Sequence, residues 1–367
     1  MASTDMQDIG HVQLAAPADG DEIGLRIATF TDLHQWPRGV KEFKARGRVI
    51  DFDKEGYSAE KNIELMEHVL ERSSPDLVVF TGDILDGRPC KGMAPEKMNE
   101  VMMDVLEPVL KRDIPWTYIP GNHDDDDSPW TRQDLLKIYQ LPLCVSAKAT
   151  TFNHTMTIGR GTEPSATDSV RLWLFDSGTN SPDPKLRYTT FSDASVRGYT
   201  ELSESGKLAP SATGLAFFHI PLPEYENLDP LVGKNGLFEA ALKGGKVPFP
   251  FNFRPMSDLV EVLGKDRVVG CSKLNSGIFE AFRKQGNILA TFCGHDHHSD
   301  FVARRDNIYL CYNRCGSYTP PSDWEGAGGP LKFDHGSRII HFKGADQLWT
   351  WNCTFKQDSE DLFHLKH

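Results

Sequence analysis

Five short segments of this sequence contain side chains that can bind metal ions or transfer protons. In chain order they read Asp32-Leu33-His34, Gly82-Asp83, Gly121-Asn122-His123-Asp124, Phe218-His219 and Gly294-His295-Asp296-His297. Mn, Fe, Zn and Mg accept carboxylate, amide and imidazole ligands of this kind, and no cluster of thiolates accompanies them. The residue types suffice for two adjacent divalent cations, with one histidine left over for acid chemistry. Two cations about 3.5–4 Å apart can bind a phosphate and generate a hydroxide nucleophile.

The first three segments follow stretches that are predicted to be strands, over 25–31, 76–81 and 114–119. Between these stretches, apolar residues recur at helical spacing in 58–73 and 95–111. Such alternation of strands and helices predicts parallel crossover units. Ligand sites in these units form at the carboxyl ends of the strands, which is where the polar residues stand.

The second half of the chain is predicted to be richer in strands. They are expected over 149–159, 170–176, 214–220, 287–293, 308–312, 338–342 and 348–355, and the clearest helix is expected over 276–284. This pattern predicts two mixed sheets that pack face to face with helices on the outside. The expected fold class is therefore α+β, as a four-layer α/β/β/α sandwich.

One large domain is predicted over residues 23–356. Residues 1–22 are polar and contain Gly, Asp and Pro, so we expect a flexible N-terminal arm, and residues 357–367 are assigned to a C-terminal tail. Residues 221–269 are rich in Pro, Gly and aromatic side chains. Because this stretch is too apolar for a disordered linker, it is predicted to be a folded insertion near the entrance of the site.

The charge balance of the 367-residue chain is acidic, with a formal net charge of -12. Such a chain is not expected to bind nucleic acid or an anionic membrane, because Lys/Arg surfaces hold phosphate backbones. No apolar run approaches the ~18 residues that span a bilayer. The seven cysteines are scattered, which favours reduced thiols in a cytoplasmic protein. Removal of a leader upstream of this sequence would leave secretion open.

Taken in order, the five segments resemble the pattern of the calcineurin-like metallophosphoesterases, D-x-H, GD, GNH[DE], H and GHxH. They extend from Asp32 to His297, which is most of the chain, and five ordered blocks are far more specific than any single one. The spacing most resembles fungal and plant phosphatases of the DCR2 type, which are similar to purple acid phosphatases but not purple. Purple enzymes lack the histidine of D-x-H and carry a tyrosine where Asp86 stands, so no tyrosinate–iron colour is expected.

This resemblance implies a specific set of ligands for two divalent ions drawn from Mn, Fe, Zn and Mg. One ion would be held by Asp32, His34 and His297, the other by Asn122, His219 and His295, and both by a bridging Asp83. The bridging carboxylate would offset the repulsion between two close cations.

The histidine that remains, His123, is implied to be the general acid and to contact the phosphate together with Asn122. An imidazolium near the ester oxygen can protonate the leaving alkoxide, which is worth a factor of roughly 10²–10⁴ in rate.

A partner for this acid is predicted from the segment that contains Asp83. It resembles the GDxxDRG run of serine/threonine phosphatases, in which the second Asp pairs with the acid histidine and the Arg binds phosphate. The corresponding Asp is Asp86, which is predicted to orient His123. Gly87 and Arg88 stand in the reverse order here, so Arg88 and Arg38 are both candidates for the phosphate-binding cation.

Other polar residues have simpler expected roles. The acidic run from Asp124 to Asp127 is expected to be a solvated loop rather than a metal-recruiting one. Histidines outside the five segments, such as His154, are expected to lie at the surface or to be hydrogen-bonded in the core.

The predicted activity is hydrolysis of phosphomonoesters, on small molecules or phosphoproteins, through attack by a metal-bridging hydroxide. Phosphodiesters, including cyclic nucleotides, are the first alternative, because the motifs define the reaction centre and not the leaving group. The second alternative is a non-catalytic scaffold of the same fold that binds partners.

Overall fold

Two β-sheets form the centre of the molecule in a computed structural model of the chain. The structure describes residues 5–16, 24–45, 48–226, 269–297, 299, 301–320, 335–344, 347–355 and 363–365. The strands in these ranges are β1 (Gln7–Gln13), β2 (Leu25–Phe30), β3 (Glu42–Ala45), β4 (Arg48–Asp51), β5 (Leu77–Thr81), β6 (Trp116–Ile119), β7 (His154–Gly159), β8 (Val170–Leu174), β9 (Thr213–Phe217), β10 (Ala290–Cys293), β11 (Val302–Arg305), β12 (Ile308–Tyr312), β13 (Gly336–Phe342), β14 (Leu348–Thr354) and β15 (Phe363–Leu365).

The α-helices in the described ranges are α1 (Phe52–Glu55), α2 (Ala59–Ser73), α3 (Glu96–Leu110), α4 (Asp193–Glu204), α5 (Pro223–Glu226) and α6 (Ile278–Gln285). The same ranges contain 3₁₀ segments at Arg88–Cys90 and Asp134–Gln140. Helix α2 lies at its predicted position. The hydroxyl of Ser58 caps it by accepting a hydrogen bond from the Lys61 N–H at 3.2 Å.

The two large sheets are both mixed. Seven strands follow the order β1-β7-β8-β9-β10-β12-β11, and six follow the order β15-β14-β13-β2-β5-β6. Strands β2, β5 and β6 are parallel neighbours in the smaller sheet, and β9 and β10 are parallel neighbours in the larger one. The carboxyl ends of these five strands carry the five segments with candidate ligands. A separate hairpin pairs β3 with β4.

Side chains alternate between the two faces of each sheet, as the pleat requires. In β2, Ala28 and Phe30 pack into a core with residues of α2 and α3, whereas Ile27 packs into the core between the sheets. In β8, Leu172 joins the core between the sheets and Trp173 joins an outer core with α4 and α6. The layers are therefore helices, sheet, sheet and helices, which confirms the predicted α/β/β/α sandwich.

The prediction of a flexible N-terminal arm is wrong for residues 7–13. They form β1, which pairs in parallel with β7 at the edge of the seven-stranded sheet. The side chains of this edge strand are only partly buried, so the strand is stabilised mainly by its backbone hydrogen bonds to β7. A polar sequence is therefore compatible with the strand. Residues 363–365 of the predicted tail form β15, which pairs with β14. Most of the predicted insertion, from 227 to 268, lies outside the described residues.

Helix α4 and strand β11 were absent from the sequence prediction. The sequence of α4 is largely polar, and Ser192 caps it by accepting a hydrogen bond from the Ser195 N–H at 3.0 Å. Within the described ranges, no helix is both long and apolar enough to cross a membrane.

Candidate metal centre

The candidate site lies where both sheets present the carboxyl ends of parallel strands. Asp32, Asp83 and Asn122 follow β2, β5 and β6 of the six-stranded sheet, whereas His219 follows β9 and the 294–297 segment follows β10 of the other sheet. Residues that are up to 265 positions apart in the chain (297 minus 32) are thereby brought together. The site thus depends on how the two sheets pack.

Asp32, His34 and His297 form the first of two triads, and one ligand atom from each lies within 4.8 Å of the others. His34 Nε2 and His297 Nε2 are 3.0 Å apart, and Asp32 Oδ1 is 3.4 Å from His297 Nε2. Two imidazole nitrogens and one carboxylate oxygen therefore converge on one point. This is the ligand type and the grouping expected for a divalent cation.

Asp83, His219 and His295 form the second triad, with the same 4.8 Å grouping. His219 Nδ1 lies 2.9 Å from the carbonyl oxygen of Thr81. Because a carbonyl only accepts, Nδ1 carries a proton, and Nε2 is the nitrogen that has a lone pair when the ring is neutral. His219 Nε2 lies 3.1 Å from Asp83 Oδ2, so its lone pair is available on the side of the carboxylate.

Two carboxylates lie between the triads. Asp83 Oδ2 is 3.7 Å from His34 Nε2, in the first triad, and 3.1 Å from His219 Nε2, in the second. Asp32 Oδ1 is likewise 3.9 Å and 4.0 Å from the same two nitrogens. The position of Asp83 is compatible with the predicted bridge, and Asp32 is placed almost as centrally.

Several buried polar atoms at the centre have no hydrogen-bond partner among the described residues. They are Asp32 Oδ1, Asn122 Oδ1, His219 Nε2 and His295 Nδ1. Buried polar groups without partners are costly, and each of these atoms can act as a ligand to a cation once any proton on it has been released. For Asn122 the amide orientation supports this reading, because Nδ2 donates to Asn180 Oδ1 at 3.3 Å. The residues present therefore fit a pair of cations, which would satisfy these atoms.

Neighbouring backbone N–H groups and one hydroxyl orient the carboxylates. Asp32 Oδ2 accepts from Thr31 Oγ1 at 2.7 Å and from the His295 N–H at 2.9 Å, which leaves Oδ1 for the centre. Asp83 Oδ1 accepts from the His123 N–H at 2.7 Å, which leaves Oδ2. Gly121 is needed for close approach, because a Cβ there would lie 2.1 Å from Asp83 Oδ1.

Burial and charge shift the histidine pKa values in opposite directions. Burial lowers the pKa of His295 to about 3. Burial also lowers the pKa of His219, but the carboxylates of Asp83 and Asp32 outweigh it and raise that pKa to about 9. A cation that binds His219 must displace this proton, so metal binding is expected to release protons.

The acid candidate His123 lies beside the first triad, with its ring edge-on to that of His34 at 5.3 Å between centroids. Its Nδ1 is 3.1 Å from Asp126 Oδ2. Burial lowers the pKa of His123, but the charge of Asp83 and the hydrogen bond with Asp126 outweigh burial and raise this pKa above its usual value. The geometry and the charge both favour a protonated ring.

Asp86 does not orient His123, which corrects the sequence prediction. Its carboxylate accepts from Trp36 Nε1 at 3.1 Å and from Arg88 through N at 3.1 Å, Nε at 2.8 Å and Nη2 at 2.5 Å. Asp86 Oδ2 also lies 3.9 Å from His34 Nδ1. The physical reason is that the guanidinium of Arg88, only two residues away in the chain, donates hydrogen bonds to both carboxylate oxygens of Asp86.

The two candidate arginines differ in position. Arg88 is close enough to the centre to influence His34 and His123 electrostatically, and its role in phosphate binding stays a prediction. Arg38 is not at the site, which is a second correction. Its side chain is 53% exposed and pairs with Asp104 at 3.0 Å and Glu107 at 3.1 Å, because its carboxylate neighbours lie on α3.

The acidic run after His123 is not a solvated loop, which is a third correction. Asp124 is fully buried and accepts backbone hydrogen bonds from both the GD and the GNH segments. Asp125 pairs with Arg132 at 3.0 Å, and Asp126 pairs with His123. Only Asp127, paired with Lys91 at 2.8 Å, has the surface character predicted for the run.

Sequence reasoning missed four residues around the centre. Arg132 bonds to the Gly121 carbonyl and to Asp176 at 2.7 Å. Asn180 orients Asn122, and the Tyr188 ring packs edge-on against His295 at 4.5 Å between centroids. Arg132, Asn180 and Tyr188 belong to no motif. The fourth residue is Asp126, and its position three residues after His123 was a signal that could have identified it as a partner.

The family of this chain follows from its match to a known sequence profile. Residues 25–299 match the calcineurin-like phosphoesterase family, and this span contains all seven predicted ligands. The chain therefore belongs to the calcineurin-like phosphoesterase family, as the five ordered segments predicted.

Curated relatives are similar at low identity. The chain is 25% identical to "probable inactive purple acid phosphatase 28" of Arabidopsis thaliana, over 90% of this chain and 78% of that protein. It is 26% identical to phosphatase DCR2 of Saccharomyces cerevisiae, over 81% of this chain and 48% of that protein. The chain thus spans about half the length of the yeast relative. These similarities confirm the predicted resemblance to DCR2 and to proteins of the purple acid phosphatase type.

A solved structure with the same fold is a dimetal phosphatase from Danio rerio. The TM-score is 0.57 at 11% identity, and the alignment covers 94% of this chain and 99% of that one. At this identity the similarity concerns the fold alone.

Proposed function

We propose that this protein hydrolyses phosphomonoesters, on small molecules or phosphoproteins, with two divalent cations bound at the triads. The observation that carries the proposal is the convergence of two ligand triads on a pair of shared carboxylates, next to the His123–Asp126 pair. Membership of the calcineurin-like phosphoesterase family supports the same class of reaction.

The ligands would divide between the two cations as the geometry groups them. Asp32, His34 and His297 would hold one, Asn122, His219 and His295 would hold the other, and Asp83 would be shared between them. When bound, the cations supply Lewis acidity to the phosphoryl oxygens and lower the pKa of the attacking water. The ligand types suit Mn, Fe, Zn or Mg.

His123 performs the proton transfer that the chain itself supplies. As the oxygen of water forms its bond to phosphorus, the bond between phosphorus and the ester oxygen breaks. The proton from His123 goes to that leaving oxygen, so that an alcohol and inorganic phosphate are the products. The proton lost by water restores His123 by way of solvent.

Two alternative functions can be tested in the same activity assay. Phosphodiesters share the reaction centre and would be cleaved by the same groups. A scaffold without activity is suggested by the word "inactive" in the name of the Arabidopsis relative. The complete ligand triads of this chain and the carboxylate partner of its His123 favour activity instead.

The test is a screen of phosphomonoesters and phosphodiesters with the manganese-loaded protein. Asp83→Asn and His123→Ala are each expected to lower kcat by at least ~10², with a circular dichroism spectrum like that of the wild type. Lys137→Ala, which alters an exposed ion pair with Asp134, is the control and should leave kcat unchanged. Full activity in either site variant would contradict the assignment, and preferential cleavage of diesters would replace the monoester proposal.

A further inference from the structure

The hydrogen bond between His123 and Asp126 is the only one that the structure places on the ring of His123 within the described residues. It joins Nδ1 to Asp126 Oδ2 at 3.1 Å. An imidazole has two nitrogens, so a bond at Nδ1 leaves Nε2 for the substrate. The backbone N–H of His123 is meanwhile held by Asp83 Oδ1 at 2.7 Å. The residue is therefore fixed at its backbone by a predicted ligand and at its ring by Asp126.

The neighbouring carboxylates are engaged elsewhere. Asp86 accepts four hydrogen bonds from Trp36 and Arg88. Asp124 accepts from backbone N–H groups, one of them Gly121 at 2.6 Å. Of the acidic residues in the 124–127 run, Asp126 is the one whose carboxylate reaches the ring of His123.

Gly87 explains how the loop with Asp126 reaches this position. A Cβ at residue 87 would lie 2.5 Å from the carbonyl oxygen of Asp126 and 2.5 Å from Ser128 Cβ. The N–H of Gly87 also donates to the His123 carbonyl at 3.2 Å. A side chain at position 87 would therefore collide with the loop, and the order Gly87-Arg88 leaves the space that this loop occupies.

We propose that Asp126 is the positioning residue for His123, in the role that sequence reasoning gave to Asp86. By accepting from Nδ1–H, it holds the ring so that the Nε2 proton is directed to the leaving oxygen. This inference rests on the proposed function, because it concerns the acid step of the same reaction. Asp126 itself neither gains nor loses a proton in that step.

The experiment compares leaving groups in the manganese-loaded, full-length protein. The alkoxide that leaves an alkyl phosphate is a strong base and needs a proton from an acid. The 2,4-dinitrophenolate that leaves 2,4-dinitrophenyl phosphate is a weak base and needs none. Asp126→Ala is expected to lower kcat for the alkyl ester about 10–100-fold, a part of the full general-acid contribution. With the dinitrophenyl ester, kcat should change less than about threefold, and KM should stay within about twofold for both esters.

Three further variants complete the design. Asp127→Asn is the matched control, since Asp127 is the exposed neighbour paired with Lys91, and it should behave as the wild type. Gly87→Ala should reproduce the leaving-group dependence of Asp126→Ala, because it displaces the loop. Asp126→Glu should recover part of the alkyl phosphate activity. If Asp86→Asn, and not Asp126→Ala, shows the leaving-group dependence, the proposal is overturned. An equal loss on both esters in Asp126→Ala overturns it as well.

A second measurement separates this inference from the proposed function. In the zinc-loaded protein labelled with ¹⁵N-histidine, the signal of His123 should show a proton on Nδ1 that exchanges slowly with water. Asp126→Ala should abolish that slow exchange, whereas Asp127→Asn should preserve it. If the wild type hydrolyses no phosphomonoester, the proposed function fails while this signal still tests the contact. An unchanged signal in Asp126→Ala rejects the contact.

Discussion

Individual residues at this site adopt backbone conformations that most side chains avoid. Asp32, His34, Asp83 and His295 have positive φ angles of 49°, 43°, 51° and 76°. Each costs roughly 1–2 kcal/mol for a residue with a Cβ. Backbone hydrogen bonds hold the strained turns in place, such as His34 N–H to the Asp83 carbonyl at 2.8 Å. The folded protein therefore keeps conformational strain where the predicted ligands stand.

Asp124 stabilises these strained turns, and its variant gives a prediction at this scale. Its buried carboxylate accepts from the N–H groups of Asp83, Ile84, Leu85 and Gly121 at 2.6–3.0 Å. Asp124→Asn places an NH₂ group against these donors and is expected to lower the free energy of unfolding by about 2–4 kcal/mol. Urea unfolding measures the change, with Asp127→Asn as the control of equal chemistry. Equal stability of the two variants would refute this role.

At the scale of elements, parallel strands explain why short motifs so distant in the chain converge. Each of β2, β5, β6, β9 and β10 ends at the site, and the glycines that follow β5, β6 and β10 permit close contact. A Cβ at Gly294 would lie 1.9 Å from Thr31 Oγ1 and 2.6 Å from Asp32 Oδ2. This glycine therefore permits the turns after β2 and β10 to touch.

Strand β7 contains a histidine whose ionisation should affect stability. His154 is fully buried, and its Nε2 lies 2.7 Å from Ser146 Oγ. Burial lowers the pKa of His154 to about 4, whereas the unfolded chain has the usual value near 6.5. Between these values the unfolded state binds more protons, so stability is complete above pH 6.5 and is lost as the pH falls towards 4.

The expected loss from this residue between pH 7.5 and pH 5 is about 2 kcal/mol. Urea unfolding at both pH values would measure it. His154→Gln keeps a hydrogen-bonding group but cannot titrate. Between pH 7.5 and pH 5, the free energy of unfolding of this variant should therefore decrease by about 2 kcal/mol less than that of the wild type. The same fall in both proteins would show that His154 does not contribute.

At the scale of the whole molecule, a bound pair of cations would connect the two sheets. Asp32 and Asp83 follow strands of one sheet, and His219 and His297 follow strands of the other. Ligands that bind only the folded state stabilise it by mass action, by about 2.7 kcal/mol at a concentration 100 times the Kd. Metal content and global stability should thus be coupled.

We therefore expect Mn or Zn to bind at about two equivalents per chain and to raise Tm, and we expect EDTA to reverse the rise. Metal analysis after gel filtration and thermal unfolding measure the two effects. Asp83→Asn should lower the metal content and reduce the rise in Tm, because Oδ2 of Asp83 lies between the two triads. Lys137→Ala should behave as the wild type in both measurements. Fewer than about one equivalent per chain, with no shift in Tm, would favour the scaffold alternative.

The sequence by itself determined the layers of the fold and the residues of the candidate metal centre. Short apolar runs predicted β2, β5 and β12 close to their observed positions, and the resemblance to the calcineurin-like pattern implied the residues of both triads. Strand β1 did not follow, because an edge strand is stabilised by backbone pairing that composition does not record.

Only the tertiary structure decided which carboxylate contacts the ring of His123 and which carboxylates pair with Arg88 and Arg38. The sequence does not distinguish Asp86 from Asp126, since both are aspartates near a motif. In the structure, Arg88 donates hydrogen bonds to Asp86. The absence of a side chain at Gly87 leaves room for the loop that contains Asp126. Arg38 stands near His34 in the chain, but its charge is drawn to the carboxylates of α3. Hydrogen bonds and ion pairs depend on distance in space, which the spacing of residues along a chain does not determine.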